Sequence, residues 1–363
     1  MKKHSIVLLP GDGIGPEVTS AARLVLEEVA DVFGHHFEFS THDIGGAAID
    51  RHGDPLPNAT REACVAASAV FLGAVGGPKW DGAAVKPEAG LLGLRKAMGL
   101  FANMRPVAVE PFTAAHSPLK AEVVRGVDLL IVRELTGGAY FGEKSRTPER
   151  ASDSCVYTRE EIERVARVAF RAAEHRRGHV TSVDKANVME TGRLWRETVT
   201  RIGREEFPKV KLEHALVDST AMQLILKPRA FDVIPAENMF GDILSDEAAV
   251  LTGSIGLLGS ASLGAGGPGM FEPIHGSAPD IAGQDVANPA GALMSVAMLL
   301  RYGLGLAAEG DLVEHAVRSV LGSGKVTRDL GGSMTCSAFA KCVADSMRGA
   351  RWAAMHMGQM HWA

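Results

Sequence analysis

The sequence predicts an α/β protein with two domains and a largely parallel central sheet. Short apolar runs that end in turn residues alternate along the chain with amphipathic segments of helical period. The length of 363 residues corresponds to two domains at about 100 to 200 residues each. Hydrophobic residues make up 46% of the chain and charged residues 22%, so we expect a folded globular protein with real cores.

Individual elements follow from the same patterns. Apolar residues recur at helical spacing over residues 160–177, and Gly178 is the predicted stop signal of that helix. No internal repeat or low-complexity linker interrupts the chain, so the two domains are expected to share a continuous fold. The predicted strands are residues 6–9, 70–75, 129–132, 180–183, 214–217 and 232–235.

The charge balance and the cysteines narrow the class of protein. Lys and Arg number 38 against 43 Asp and Glu, a net charge of −5, so no basic field is available for nucleic acid or an anionic membrane. The four cysteines show no disulfide or metal-ligand spacing, and the apolar segment after the first residues is too short for a signal peptide. The uncharged run 248–271 is rich in glycine and is predicted to form loops rather than a membrane helix. These features predict a cytoplasmic protein with no membrane partner.

Two glycine clusters resemble the classical dinucleotide-binding fingerprint without matching it. Residues 11–16 follow a predicted strand and open a helix, but Pro16 stands where the fingerprint requires its third glycine. Residues 264–269 satisfy the spacing, yet no strong strand precedes them and no helix follows. We therefore do not predict a classical Rossmann fold.

A pair of acids suggests a metal site. Asp242 and Asp246 are four residues apart, which places them on one face of a helix where they repel each other unless a cation lies between them. Oxygen ligands suit Mg²⁺ or Mn²⁺. Acids near a helix N-terminus, favoured by its dipole, are the alternative. Asp218, which ends a predicted strand, is a candidate third ligand.

Another helix face combines apolar and charged residues. Glu88, Leu91, Leu92 and Arg95 share one face of a predicted helix. Leucines at this spacing usually belong to a core, but a core face rarely ends in two charges. A pocket for a ligand with one apolar and one anionic end would explain the pattern.

Four further residues are candidates for binding and proton transfer. Lys185 directly follows a predicted strand, and a nearby divalent cation would lower its pKa enough to make it a base. Tyr140 lies in a glycine-rich turn, and the guanidinium groups of Arg105 and Arg133 suit carboxylates. A surface ion pair for each cation and simple packing for the tyrosine are the alternatives.

Four motifs in order resemble one family. Together they are similar to the isocitrate/isopropylmalate dehydrogenase family of β-decarboxylating dehydrogenases, and within it to the branch that acts on 3-isopropylmalate. The resemblance covers about residues 4–347, and its motifs are 9–17, 184–188, 238–246 and 275–283.

This resemblance implies a fold and an assembly. The first domain would combine residues 1–100 with 255–363 and bind NAD, and the second, 101–254, would carry the metal site and the dimer interface. The implied homodimer takes Lys185 and Asp218 of each active site from one subunit and the remaining groups from the other.

The implied reaction is NAD-dependent oxidative decarboxylation of 3-isopropylmalate to 4-methyl-2-oxopentanoate and CO₂ in leucine biosynthesis. Asp242, Asp246 and the neighbouring subunit's Asp218 would hold Mg²⁺ or Mn²⁺. Lys185 would take the substrate hydroxyl proton, and Tyr140 would protonate carbon after CO₂ departs. The substrate-binding residues implied are Glu88, Leu91, Leu92, Arg95, Arg105, Arg133 and Asp218.

The resemblance also implies the cofactor. Asp280 and Ile281 stand where NADP-dependent relatives carry a Lys-Tyr pair, and a carboxylate there accepts hydrogen bonds from the ribose and repels a 2′-phosphate. NAD is therefore expected. The cofactor-binding residues implied are Asn187, His275, Gly276, Ser277, Ala278, Pro279, Asp280, Ile281 and Asn288.

Two alternative functions and three departures from the family pattern accompany this interpretation. A dehydrogenase for tartrate or other alkylmalates would share the motifs, as would a binding protein that has lost turnover. Leu91 and Leu92 argue against isocitrate, whose extra carboxylate would meet apolar side chains. Glu237 stands where relatives usually carry a small residue, Gly259 replaces a common proline, and residues 348–363 extend past the usual end. Deletion of residues 349–363 is predicted to leave the activity and the dimer unchanged.

Overall fold

A computed structural model describes the backbone of residues 3–357 and the side chains up to residue 349. It is an α/β structure whose strands pair mainly in parallel. The strands are β1 Lys3–Gly11, β2 His36–Thr41, β3 Ala69–Ala74, β4 Leu100–Ala108, β5 Asp128–Glu134, β6 Lys144–Arg146, β7 Ala151–Asp153, β8 His179–Asp184, β9 Lys211–Leu216, β10 Val233–Ala236, β11 Gly259–Gly264 and β12 Gly269–Pro273. The helices are α1 Gly15–Phe33, α2 Gly45–His52, α3 Asn58–Ala66, α4 Pro87–Ala97, α5 Ala121–Val124, α6 Arg159–Glu174, α7 Glu190–Glu206, α8 Val217–Leu226, α9 Asn238–Ala249, α10 Ala290–Met298, α11 Ala307–Gly322 and α12 Cys336–Met357.

The first compact unit consists of Met1–Met98, Ile255–Ala261 and Ala265–Ala363. Its strands lie in the order β2, β1, β3, β12, and each of these pairs is parallel. Every residue of β3 is buried, as expected for a central parallel strand covered on both faces. Helix α1 packs against α10 and α12, and the aromatic rings of Phe71, Phe271 and Phe339 lie fully in the core.

The second compact unit consists of Gly99–Ser254 and Ser262–Gly264. Its strands lie in the order β4, β5, β10, β8, β9. The pair β4–β5 is antiparallel and the others are parallel. Helices α6 and α7 pack together over Phe170 and Trp195, both fully buried. Strands β6 and β7 form a separate antiparallel hairpin.

The predicted fold class is confirmed, and two predicted boundaries are wrong. Asp218 does not end a strand: β9 stops at Leu216, and Asp218 lies in the first turn of α8. The helix predicted over 160–177 ends at Glu174, and Gly178 closes the following turn in the left-handed region, with its N–H donating to Ala173. The strand error arises because apolar Val217 follows Leu216, and the helix error arises because the turn 175–178 continues directly from the helix before its glycine, so the sequence pattern alone does not mark either boundary.

The run 248–271 is also more regular than predicted. It contains β11 and the first residues of β12, and the glycine cluster 264–269 joins these strands. A strand therefore does precede that cluster, contrary to expectation, but a strand and not a helix follows it, so the dinucleotide fingerprint is still incomplete. Gly259 is packed so closely on α10 that an added Cβ would crowd the Ser295 backbone.

The length and polarity of the helices and the course of the chain end bear on two further predictions. Among the described helices, none combines the length and apolar character required to cross a membrane. Helix α12 continues through Met357, so most of the predicted extension 348–363 is helical rather than loosely ordered. Residues 358–363, including Trp362 and His361, lie outside the described part.

Candidate active site

The acid pair lies on α9 as the spacing predicts. Glu237 caps this helix through its side chain, which accepts the N–H of Phe240. The side chain of Asp242 is 31% exposed and that of Asp246 is 61% exposed, so solvent reaches both carboxylates. Arg133 forms an ion pair with Asp242, and Arg105 Nη1 lies 3.1 Å from Asp246 Oδ1. Two arginines therefore offset the repulsion between the acids.

Buried polar partners hold these two arginines in place. Arg105 donates to Asn103 Oδ1 at 2.7 Å and to Ser245 Oγ at 2.6 Å. Arg133 donates from Nε to Asn238 Oδ1 at 3.0 Å. Both side chains are almost fully buried, and a fixed guanidinium loses little freedom when it binds a carboxylate.

Tyr140 joins the same cluster. Its hydroxyl donates to Asp242 Oδ2 at 3.0 Å, and the Arg133 guanidinium lies 5.6 Å from its ring centroid. Burial, followed by the charge of Asp242, raises the pKa of the Tyr140 phenol above its usual value. The phenol is therefore protonated at neutral pH and available as a proton donor.

Lys185 and Asp218 form a second, separate pair in this unit. Lys185 Nζ lies 2.8 Å from Asp218 Oδ1, with the lysine side chain 24% exposed and the aspartate 65% exposed. The hydrogen bond from Lys185 lowers the pKa of Asp218. The adjacent Asp184 is bound instead by Arg196 at 2.9 Å. Lys185 thus directly follows β8, as predicted, but its partner is Asp218.

The carboxylates on α9 supply only part of a divalent metal site within one chain. Asp242 and Asp246 supply accessible carboxylate oxygens on one helix face, which suits Mg²⁺ or Mn²⁺. Over the described range of one chain, however, no three His, Cys, Asp or Glu side chains gather into a metal site. Asp218 is bound to Lys185 and does not join the α9 acids.

Helix α4 of the first unit carries the predicted mixed face. Arg95 is buried and donates to Glu272 at 2.8 Å, while its Nε lies buried with no hydrogen-bond partner among the described residues. Leu91 and Leu92 are half-buried rather than sealed in a core, and Glu88 is exposed. The face is therefore open to a ligand, and the Arg95 guanidinium retains an unused donor.

The segment 275–281 of the first unit has the features of an open cradle. His275 Nδ1 lies 2.9 Å from the Gly276 carbonyl, and its Nε2 is buried with no hydrogen-bond partner in the part of the chain that the structure describes. Burial lowers the pKa of His275, so the ring is neutral at neutral pH. Gly276 faces open space, and Asp280 is exposed. An unused ring nitrogen and an accessible carboxylate within one short segment fit a ligand that carries both donors and acceptors, such as an adenosine.

The remaining predicted cofactor residues occupy different settings. Asn187 is exposed in the turn after β8, and Pro279 is exposed. Ala278 has a φ of 37°, which is uncommon for a residue other than glycine. The Asn288 amide is already engaged, since it donates to Asp329 and its oxygen accepts the Ala290 N–H. Ser277 is buried, and Ile281 is half-buried.

Asp12 is an important residue that sequence reasoning missed. Its carboxylate accepts three backbone N–H groups, from Gly46 at 2.8 Å, Ala47 at 2.7 Å and Gly76 at 2.8 Å. Next to it, Ile14 N–H donates to the Ser277 carbonyl at 2.8 Å. The motif 11–16 therefore connects loops and supports the cradle at 275–281. The motif itself was visible in the sequence, but its partners lie far away along the chain.

Comparison with known proteins defines the class of this chain. The family model described as isocitrate/isopropylmalate dehydrogenase matches residues 5–343. The chain belongs to the isocitrate/isopropylmalate dehydrogenase family, and it is an oxidoreductase. Among solved structures it is similar to isocitrate dehydrogenase from Methylococcus capsulatus, with a TM-score of 0.85, 35% identity and coverage of 95% of this chain and 99% of that one.

Curated relatives point to one branch of the family. The chain is 58% identical to 3-isopropylmalate dehydrogenase of Bacillus licheniformis over 346 residues, covering 93% of each chain. It is also 58% identical to 3-isopropylmalate dehydrogenase of Oleidesulfovibrio alaskensis over 333 residues, covering 90% of this chain and 93% of the relative.

Proposed function

We propose that this protein catalyses the NAD-dependent oxidative decarboxylation of 3-isopropylmalate in leucine biosynthesis. The observation that carries the proposal is the cluster on and around α9, where the Tyr140 phenol lies 3.0 Å from Asp242 and this carboxylate also pairs with the buried Arg105 and Arg133. The names of the relatives that are 58% identical support the choice of substrate.

The cofactors supply the chemistry that side chains lack. When bound, Mg²⁺ or Mn²⁺ held by Asp242, Asp246 and the second subunit's copy of Asp218 would polarise the substrate hydroxyl and its neighbouring carboxylate, and NAD⁺ bound along 275–281 would accept hydride. The two carboxylates and the open cradle described above support these assignments. The other seven members of the predicted cofactor set remain part of the proposal: Asn187, Gly276, Ser277, Ala278, Pro279, Ile281 and Asn288.

The chain's own residues divide the proton transfers. Lys185 takes the hydroxyl proton as the alcohol is oxidised, and Asp218 orients the Lys185 amine through their 2.8 Å contact. Tyr140 then donates its phenolic proton to the carbon that has lost CO₂. A raised phenol pKa keeps that proton in place until it is needed.

The substrate is fixed at its charged and apolar ends. Arg95, Arg105 and Arg133 hold the two carboxylates through forked hydrogen bonds. Leu91 and Leu92 contact the isopropyl group, and their half-buried state leaves apolar area for it to cover. Glu88 lies between the substrate and the nicotinamide. The extra carboxylate of isocitrate would lose its hydration against the leucines.

The assembly proposed is a homodimer with shared active sites. Asp218 is exposed and does not meet Asp242 in its own chain, which supports its donation to a partner's site. Helices α8 and α9 pack together and present the exposed apolar side chains of Met222, Leu226 and Ile243, which a second copy would cover. We also propose a cytoplasmic location, in keeping with a biosynthetic role.

The test is coupled product formation. Purified protein with 3-isopropylmalate, NAD⁺ and Mn²⁺ should release NADH and CO₂ in equal amounts, and chelation of the metal should stop both. Absence of NADH with this substrate would refute the proposal.

A further inference from the structure

We propose that Tyr157 is a positioning residue that sets the Tyr140 turn against α9. The expected effect on catalysis rests on the proposed function. The structural basis is the set of contacts that Tyr157 itself makes, and these are with residues outside the predicted site. Tyr157 is buried, and its hydroxyl lies between the two elements that carry the proton donor and the acids.

The hydroxyl of Tyr157 makes two hydrogen bonds at the start of α9. It donates to Glu237 Oε2 at 2.8 Å and accepts the N–H of Asn238 at 2.9 Å. The other oxygen of Glu237 accepts the Phe240 N–H at 3.2 Å. Tyr157 and Glu237 together therefore satisfy N–H groups in the first turn of α9, which no intrahelical carbonyl accepts.

The ring of Tyr157 packs against the turn that carries Tyr140. A Cβ on Gly137 would lie 2.5 Å from ring carbon Cε1, and a Cβ on Gly138 would overlap the hydroxyl. Gly138 also has a φ of 75° and donates its N–H to the Val156 carbonyl at 2.9 Å. The two glycines let the turn approach Tyr157 closely.

Asn238 closes the connection back to the site. Its side chain donates to the Gly137 carbonyl at 3.2 Å and accepts from Arg133 Nε at 3.0 Å. Arg133 in turn pairs with Asp242, which accepts the Tyr140 hydroxyl. The contacts form a closed ring through Tyr157, Asn238, Arg133, Asp242 and Tyr140. Loss of the Tyr157 hydroxyl therefore disturbs both the acid and the proton donor.

The buried acid Glu237 acquires a role from the same contacts. Burial raises its pKa, and its hydrogen bonds to Tyr157 and to the α9 backbone oppose that shift. A small residue at 237 would leave the Tyr157 hydroxyl without this acceptor. Glu237 and Tyr157 thus act as a pair.

The test compares Tyr157→Phe with wild type in two measurements. Tyr157→Phe keeps the ring against Gly137 and Gly138 but removes both hydrogen bonds. We expect kcat with 3-isopropylmalate to fall about 10- to 100-fold, because small displacements of reacting groups are costly. We expect the Kd for Mn²⁺ alone, measured by electron paramagnetic resonance on the full chain, to rise about 10-fold, because residues that orient ligands tune metal affinity.

Tyr302→Phe is the matched control. Tyr302 is exposed, lies in the first unit, and should leave both values within about twofold of wild type. If Tyr157→Phe keeps both wild-type values, or loses only thermal stability, the proposal is wrong. If Tyr157→Phe fails to fold, Glu237→Gln is the second variant, because it keeps one carbonyl acceptor. It should change kcat and the Kd for Mn²⁺ in the same directions but by smaller factors, and unchanged values would refute the proposal. Turnover of 3-isopropylmalate by the wild type tests the proposed function. Mn²⁺ binding needs no substrate, so it tests the role of Tyr157 even if the proposed function is wrong.

Discussion

The phenolic oxygen of Tyr140 lies 3.0 Å from Oδ2 of Asp242, and its hydroxyl donates to that carboxylate. This single contact joins a group that can donate a proton to one of two acids suited to hold a metal. The contact therefore links the two steps of an oxidative decarboxylation. The metal serves the oxidation of the hydroxyl, and the phenol serves the later step, because removal of CO₂ leaves a carbon that must be protonated.

The first prediction separates the chemical steps. Tyr140→Phe should retain more hydride transfer than product protonation, because the phenol is assigned only to the later step. Lys185→Met should suppress the oxidation itself, with a loss of about 10²- to 10⁴-fold typical of general base removal. Rapid mixing with detection of NADH and of the protonated product, 4-methyl-2-oxopentanoate, measures both steps. Equal losses of the two steps in both variants would contradict this assignment.

The second prediction concerns shared active sites. Lys185→Met and Asp242→Asn variants are each expected to be inactive. Refolding them together should restore about a quarter of the wild-type activity, because half of the dimers are mixed and each mixed dimer contains one intact site. Lys185→Met refolded with itself is the control. No recovery from a mixture shown to contain mixed dimers would place each complete site within one chain.

The third prediction concerns the cofactor. Replacing Asp280 with Lys and Ile281 with Tyr exchanges an exposed carboxylate for a cation and a hydroxyl donor. The ratio of kcat/KM for NAD⁺ to that for NADP⁺ should fall at least ~10-fold. Asp311→Lys, an exposed acid on α11, makes the same charge change at another position and should leave the ratio unaltered. An unchanged ratio in the double variant would remove Asp280 from the cofactor site.

The fourth prediction concerns stability. Asp12→Ala leaves three backbone N–H groups without their acceptor, and each buried unsatisfied group costs about 1 to 3 kcal/mol. Urea denaturation should show a loss of about 3 kcal/mol or more in the free energy of unfolding. Asp311→Ala breaks only an exposed ion pair, worth about 0 to 1 kcal/mol. A loss for Asp12→Ala no larger than that of its control would mean the three bonds do not stabilise the loops.

Local patterns in the sequence predicted the elements that carry the candidate site. The four-residue spacing of Asp242 and Asp246 placed both on one helix, and the apolar run before Lys185 predicted β8. Local patterns failed where two elements meet, because Leu216 and Val217 are both apolar while only the first belongs to β9.

Partners distant in the chain were not predictable in this way. Asp12 binds Gly76, 64 positions away, and Tyr157 binds Glu237, 80 positions away. No periodicity connects such pairs, because each depends on how the completed sheet brings its loops together. Glu237 stood out in the sequence only as an unexpected acid, and the structure gives it two partners, Tyr157 and the N-terminus of α9.

The most direct test of the account is the specificity of the wild-type protein for its substrate. Initial rates of NADH formation with Mn²⁺ should give a kcat/KM for 3-isopropylmalate at least ~100-fold above that for malate. In the proposed site the isopropyl group would fill the space beside Leu91 and Leu92, and each well-buried methylene contributes about 1 to 3 kcal/mol. Changing both leucines to Ala should erase most of that preference. Faster turnover of malate, which has no alkyl group, would contradict the proposed substrate.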